Sequence, residues 1–185
     1  MKTQLYSIIP YACAFVSLLF TAFTADRYRK RALPLLILTS VAIIGFVIML
    51  ATPNAVAGIV GACLISAAVY PGIVIGAAWI PSSNAGYTKR ATASWMAQIV
   101  IQTFSIMCTQ IYKKPPRYFS GHGTLLGLFV LTFFLILSTW GLMKQSNKKK
   151  DEAAKRWDEQ GETNPEEAKT LEELCDGHPN YRYIW

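Results

Sequence analysis

The sequence predicts an all-α polytopic membrane protein with about five transmembrane helices. Its charged residues leave long gaps: no Asp, Glu, Lys or Arg occurs in segments 3–25, 32–88, 91–112 or 118–143. A helix that rises about 1.5 Å per residue needs about 20 mostly apolar residues to cross a hydrocarbon core of about 30 Å. Each gap is long enough for a crossing, whereas a water-soluble domain spreads its charges more evenly.

The uncharged gaps divide into five predicted spans. The longest gap holds two of them, separated by Pro53 and Asn54, whose backbone preferences suit a tight loop. The predicted spans are 5–24, 33–52, 56–80, 92–112 and 124–143. We therefore divide the chain into a transmembrane helical bundle, residues 1–143, and a charged cytoplasmic tail, residues 144–185.

The tail differs in composition from the bundle. It holds ten of the eleven acidic residues and mixes them with Lys and Ala, which predicts two short helical segments around a break at 161–165. The ending ELCDGHPNYRYIW carries more aromatic side chains than a solvated tail needs. We therefore expect this ending to dock on the loops of the bundle.

The distribution of basic residues predicts the orientation. Counted over the short connections, one side carries ten Lys and Arg residues and the other side carries four. Because basic residues concentrate in cytoplasmic loops, the richer side and the C-terminus are predicted to be cytoplasmic. The plasma membrane is the expected location, with internal membranes as alternatives.

The composition argues against several other functions. The net charge is +7, but the basic residues lie at the ends of apolar spans and no nucleic-acid-binding module surrounds them, so no nucleic-acid partner is expected. No phosphate-binding glycine loop, zinc-protease motif or nucleophile elbow occurs, so we expect neither enzyme activity nor a cofactor. The four cysteines show no metal-ligand spacing, so no metal is expected. The expected surroundings are the lipid bilayer.

A short stretch at the end of the first span, ADRYRKRA, carries a family resemblance. It resembles the loop signature of the major facilitator superfamily, G-x-x-x-D-R-x-G-R-R. The acidic and basic positions of that signature are occupied here by Asp26, Arg27, Lys30 and Arg31. Ala22 and Arg29 replace its two glycines, as in the degenerate copy found in the second half of these transporters. From these residues alone, a charge-balanced turn is an equally good interpretation.

The order of the later segments resembles the C-terminal half of fungal anion:cation symporter permeases, the allantoate-permease-like family of that superfamily. The matching segments are NAGYTKRA at 84–91, PRYFSGH at 116–122 and DGHPNYRY at 176–183. The resemblance implies that the five spans are helices eight to twelve of a twelve-helix transporter. The missing N-terminal helices are then partners of this bundle, and the implied function is secondary-active transport of a small organic, anionic solute, with proton coupling as an option.

The resemblance also implies a role for Asp26 in gating. In that family the corresponding carboxylate caps a neighbouring helix and pairs with Arg across a cytoplasmic contact, which holds one conformation closed. The expected partners of Asp26 in this chain are Arg27, Arg31, Lys89 and Arg90. Together with Lys30, these residues form the predicted cytoplasmic gate.

Neutral polar and aromatic residues are the candidates for lining a solute path. Gln98 and Gln102 lie four residues apart and so share one helix face, with Trp95 within one turn. Tyr70 precedes a Pro-Gly pair in the third span, where a kink would expose backbone carbonyls. Interhelical hydrogen bonding and packing are the alternative roles. Because no span contains a charged residue, a titrating carboxylate for proton coupling would lie outside these spans.

The predicted outer loop between the last two spans is basic. Lys113, Lys114 and Arg117 stand there beside two prolines. They form either a rigid solvated turn or an electropositive vestibule for anions.

Two other functions remain open alternatives. A membrane scaffold or assembly subunit would use small-residue helix faces and the charged tail to bind partners. A truncated transporter fragment would have no activity. A stable stoichiometric complex without loss of solute uptake would distinguish a scaffold from a transporter.

Overall fold

The predicted all-α class is confirmed. A computed structural model describes residues 2–28, 30–52, 54–112, 118–160, 166 and 169–184, and these ranges contain no β-strand. The helices are α1 (Lys2–Tyr28), α2 (Ala32–Ala51), α3 (Ala55–Ser82), α4 (Tyr87–Ile111), α5 (Phe119–Gln160) and α6 (Leu171–Leu174), and a 3₁₀ turn follows at Cys175–Gly177.

The five long helices match the five predicted spans in order. Within the described ranges, four of them contain a segment long and apolar enough to cross a membrane: Ile8–Arg27 of α1, Phe119–Trp157 of α5, and the whole of α2 and α3. The fifth, α4, has 25 residues but a lower apolar content, because Thr, Ser and Gln recur along it. The chain is therefore a multi-pass membrane protein in which α4 is more polar than the four candidate spans.

Helices α2 and α3 form the centre of the bundle. Helix α2 packs against α3 and α5, and α3 also packs against α1 and α4. The buried residues of α2 recur every three or four positions, as expected for one helix face: Ala32, Leu35, Leu38, Thr39, Ala42, Gly45 and Phe46. Several of them form the core cluster with Ala68 and Ile75 of α3. The core is thus a seam between α2 and α3.

Two glycines bring α2 and α3 close together along this seam. A Cβ atom on Gly45 would lie 2.8 Å from Ile65 Cγ1 and 3.1 Å from the Gly61 carbonyl oxygen. A Cβ atom on Gly61 would lie 2.6 Å from Met49 Cγ and 3.1 Å from the Gly45 carbonyl oxygen. The shorter distance at each glycine, 2.8 Å at Gly45 and 2.6 Å at Gly61, is too short for a real side chain. The seam therefore depends on small residues, as is common between membrane helices.

A serine of α1 compensates for a proline inside α3. Pro71 is fully buried, and α3 continues through it. Because proline has no N–H, the carbonyl of Ala67, four residues earlier, has no donor within its own helix. The Ser17 hydroxyl donates to that oxygen at 2.6 Å. In a membrane, where water does not reach the carbonyl, this bond satisfies it.

We expect Ser17→Ala to destabilise the contact between α1 and α3 by about 1 kcal/mol, because the Ala67 carbonyl loses this donor. The measurement is the thermal unfolding midpoint of the detergent-purified chain. Thr24→Val is the matched control, since the exposed Thr24 hydroxyl bonds only to Phe20 O within α1. Equal midpoint shifts in the two variants would contradict the assignment.

Helix α5 extends well beyond the last predicted span. It runs without interruption from Phe119 to Gln160, so at about 1.5 Å per residue it is about 63 Å long. The first predicted tail segment is therefore not a separate helix, because residues 144–160 continue α5. Among the described residues after Gln160, the four-residue α6 and the 3₁₀ turn follow. Lys, Glu and Ala are strong helix formers and propagate a helix that has already begun. The predicted break at 161–165 lies outside the described residues, and the division at residue 143 stays a prediction.

Candidate functional site

Most of the predicted gate residues meet at one end of the bundle. Arg27 lies in the last turn of α1, Arg31 stands just before α2, and Lys89 and Arg90 lie in the first turn of α4. The C-terminal strap, which we define as residues 169–184, folds back onto the same end. We call this assembly the basic end.

The gate residues do not form one ion-pair network in this structure. Asp26 is exposed, as are Arg27 and Lys30, whereas Arg31 is half-buried; no ion pair between described residues includes Asp26. Arg31 instead donates through Nη1 to the Ala78 carbonyl oxygen and to Ser82 Oγ, the latter at 3.1 Å. Arg31 thereby ties the start of α2 to the end of α3.

Lys89 pairs with the strap rather than with Asp26. One oxygen of Asp176 accepts from Lys89 Nζ, and the other accepts from the Ala85 N–H at 2.8 Å. The hydrogen bond to Asp176 raises the pKa of the Lys89 ammonium above its ordinary value. Because each carboxylate oxygen accepts a hydrogen bond, Asp176 fixes the strap to the α3–α4 connection and to the start of α4.

The side chain of Lys150, on α5, binds the backbone of the strap. Its ammonium donates to the carbonyl oxygens of Asp176, His178 and Tyr181, the last two at 3.2 Å. It also lies 5.3 Å from the centre of the Tyr181 ring and 5.7 Å from that of Tyr183. Both distances are within the range of cation–π attraction. All three ammonium hydrogens of Lys150 therefore serve to hold the strap.

Neutral hydrogen bonds complete the attachment of the strap. Asn147 of α5 exchanges two bonds with the backbone of Tyr183, at 2.9 and 3.0 Å. Trp79 of α3 donates from Nε1 to the Ile184 carbonyl oxygen at 3.0 Å. The strap thus joins α3, α4 and α5, and the expected docking of the C-terminal ending on the bundle is confirmed.

The strap also has internal structure. His178 is buried, its Nδ1 accepts from the Asn180 N–H at 3.1 Å, and its Nε2 lies 3.1 Å from the Lys169 carbonyl oxygen. Because a carbonyl only accepts, Nε2 is the donor in this bond. Burial raises the pKa of Tyr181 to about 12, with the negative charge of Asp176 acting in the same direction. The Tyr181 hydroxyl therefore stays protonated near neutral pH.

The four predicted lining residues lie on exposed surfaces. Tyr70 of α3 is 44% exposed, and its ring centroid is 6.0 Å from that of Tyr11 in α1. Trp95 is 73% exposed, and Gln98 and Gln102 are also exposed on α4. No hydrogen bond or ring contact in the described part of the chain joins Tyr70 to these three. No residue of α4, which the structure describes in full, is buried, so its surface is free for another helix or for lipid.

Some expectations fall outside what the structure describes. The basic residues Lys113, Lys114 and Arg117 of the predicted outer loop lie outside the described residues, as does Pro53. Where the chain is described, no cluster of His, Cys, Asp and Glu is suited to a metal ion.

The helical fold and the basic end together are those of a multi-pass α-helical membrane protein. The chain is similar to three proteins of Schizosaccharomyces pombe (strain 972), each named an uncharacterized transporter. The identities are 30%, 30% and 29%, over 83%, 84% and 82% of this chain and 31%, 32% and 31% of the relatives. The chain thus spans about a third of the length of these curated relatives. No family model and no solved structure matches it.

Proposed function

We propose that this chain forms part of a secondary-active transporter for a small organic solute. The observation that carries the proposal is the similarity of this chain to three proteins named transporters, over 82% to 84% of the length of this chain. The described fold agrees with it, because transporters of this kind are bundles of membrane-spanning helices.

The finer assignment rests on the resemblance of particular segments. The ADRYRKRA loop and the segments at 84–91, 116–122 and 176–183 support a major facilitator permease of the anion:cation symporter family. On this proposal the five long helices are helices eight to twelve, and N-terminal helices of the same protein complete the solute path. The solute is anionic, and the basic end faces the cytoplasm at the plasma membrane. If transport is proton-coupled, the titrating carboxylate lies outside these spans.

The exposed polar surface of α4 favours a further layer of helices. Gln98 and Gln102 are exposed in a helix that buries none of its residues. Neutral amides are costly against hydrocarbon unless another polar group bonds to them. A second helical bundle around a hydrated path would supply such partners, which a lipid surface would not.

Solute uptake is the direct test of the proposal. We expect disruption of the gene to lower the uptake of at least one member of a panel of radiolabelled small organic anions, with neutral solutes in parallel. Re-expression of the complete reading frame should restore that uptake. Unchanged uptake of every solute, together with a stable stoichiometric complex around the protein, would favour the scaffold function instead.

Asp26→Asn in the complete transporter is expected to lower uptake by about tenfold while membrane insertion stays intact. The amide keeps the shape of the side chain but loses the charge-assisted hydrogen bond proposed for the closed gate, which is worth about 1.5–3 kcal/mol. Initial uptake rates, normalised to surface protein, provide the measurement. Normal kinetics in this variant would remove Asp26 from the gate.

Gln98→Ala and Gln102→Ala in the complete transporter are each expected to raise the apparent substrate constant several-fold, since a hydrogen bond to solute is worth about 0.5–1.5 kcal/mol. Concentration-dependent uptake measures this constant. Thr109→Ala is the matched control on the same helix, because its hydroxyl bonds only to Ile106 O at 2.7 Å. Unchanged constants for both glutamine variants would assign those residues to helix packing.

A further inference from the structure

An open cleft of about 500 Å³ lies at the basic end, between the strap and the ends of α2, α3 and α4. Three arginines line it: Arg31, Arg90 and Arg182. Ser82 and Tyr181 line it as well. In the described part of the chain no acidic side chain lines this cleft.

Two of the three guanidinium charges lack an acidic partner among the described residues. The ion pairs there join Lys89 to Asp176, Lys148 to Glu152 and Arg182 to Asp151. Arg31 and Arg90 take part in none of them. The side chain of Arg31 is bonded only to neutral oxygens. The cleft therefore holds excess positive charge that a bound anion would neutralise.

The chain holds part of this charge in position before any ligand arrives. Arg31 is fixed by its bonds to Ala78 and Ser82, and Arg182 by its bond to Asp151 at 2.8 Å. Fixing these long side chains in advance removes part of the entropy cost of binding. A planar guanidinium group with several parallel N–H donors matches the oxygens of a phosphate.

We propose that this cleft binds a phosphate group, presented by an anionic phospholipid headgroup or by a soluble phosphate compound. Arg31 directly precedes α2, a candidate membrane span, so the cleft opens at the depth where headgroups lie. Basic pockets between membrane helices bind such headgroups. A volume of about 500 Å³ holds a phosphate together with the group that carries it. The proposal concerns binding and does not depend on solute transport.

The test uses the purified 185-residue chain in detergent. Native mass spectrometry would compare the number of phosphatidylinositol 4-phosphate molecules bound with the number of phosphatidylcholine molecules bound. Tryptophan fluorescence would follow a titration with inorganic phosphate. Arg90→Gln is the main variant, because Arg90 is exposed and joins no ion pair between described residues. We expect it to weaken binding by about tenfold, the usual effect of losing one charge-assisted hydrogen bond.

Lys144→Gln provides the matched control. Lys144 is exposed on α5 and immediately follows the predicted span 124–143, so its substitution removes one positive charge at a similar depth but outside the cleft. Binding by this variant should equal that of the wild type. Equal losses in Arg90→Gln and Lys144→Gln would show nonspecific attraction and overturn the proposal.

The two phosphate sources give different supporting results. Binding of both probes indicates a site for any phosphate, whereas binding of the lipid alone indicates a headgroup site. Binding of neither probe, or equal binding of phosphatidylcholine, would overturn the proposal.

Discussion

Gly45→Val is expected to destabilise the bundle by about 1–3 kcal/mol, the usual cost of overpacking a close contact. Its first added atom would lie 2.8 Å from Ile65 Cγ1, 3.1 Å from the Gly61 carbonyl oxygen and 3.2 Å from the Ile65 nitrogen. Two of these neighbours are backbone atoms and cannot turn aside, so α2 and α3 must separate. The thermal unfolding midpoint of the purified chain measures the effect.

Gly58→Val separates this steric effect from the general effect of replacing glycine. Gly58 lies on α3, as Gly61 does, but a Cβ atom there would meet nothing within 4 Å. A midpoint near that of the wild type is expected for this control. If Gly58→Val proved as damaging as Gly45→Val, or if Gly45→Val caused no loss, the close approach of α2 and α3 would not limit stability.

Asp176→Ala is expected to release the strap and to shift its docking equilibrium by about tenfold or more. The substitution leaves Lys89 and the Ala85 N–H without their shared acceptor, and a hydrogen bond to a charged group is worth about 1.5–3 kcal/mol. Faster hydrogen–deuterium exchange across residues 169–184 provides the measurement. Lys89→Met should produce part of the same change, and the double variant should be less than additive.

Asp151→Ala is the matched control for the strap prediction. It also removes a carboxylate that binds a strap residue, since Arg182 Nε donates to Asp151 at 2.8 Å. That pair is solvent-exposed, with the Asp151 side chain 60% accessible, and exposed pairs contribute about 0–1 kcal/mol. A smaller increase in exchange is therefore expected. A larger effect from Asp151→Ala than from Asp176→Ala would contradict the central position of Asp176.

The helical architecture could be predicted because the membrane limits what the sequence can do. A helix that crosses a bilayer needs a long uncharged segment, so the positions of such segments in the sequence predict where helices cross. The end of α5 could not be predicted in this way, since the gap in charge ends at Lys144 while the helix continues to Gln160. Beyond the uncharged run, helix continuation depends on propensity and tertiary contacts, which give a less distinct sequence signal.

The partners of the charged residues were harder to predict. The resemblance to the family's loop signature predicts basic partners for Asp26, which is the only acidic residue before residue 151. In the structure Lys89 bonds to Asp176, which lies 87 residues away in the sequence. Helical periodicity relates residues three or four apart and carries no information on such distant contacts. The aromatic-rich ending did indicate docking, but it did not indicate that Asp176 and Lys150 are the anchoring residues.

The continuity of α5 gives the strap a mechanical consequence. Residues 144–160 prolong the helix by about 25 Å beyond the predicted span. Asn147 and Lys150 on this extension donate hydrogen bonds to the strap. A rigid rod that tilts about a point on its length moves most at its far end. Because the strap is attached near the end of α5, a small change in the tilt of α5 would displace the strap, and with it the contacts of the strap with α3 and α4.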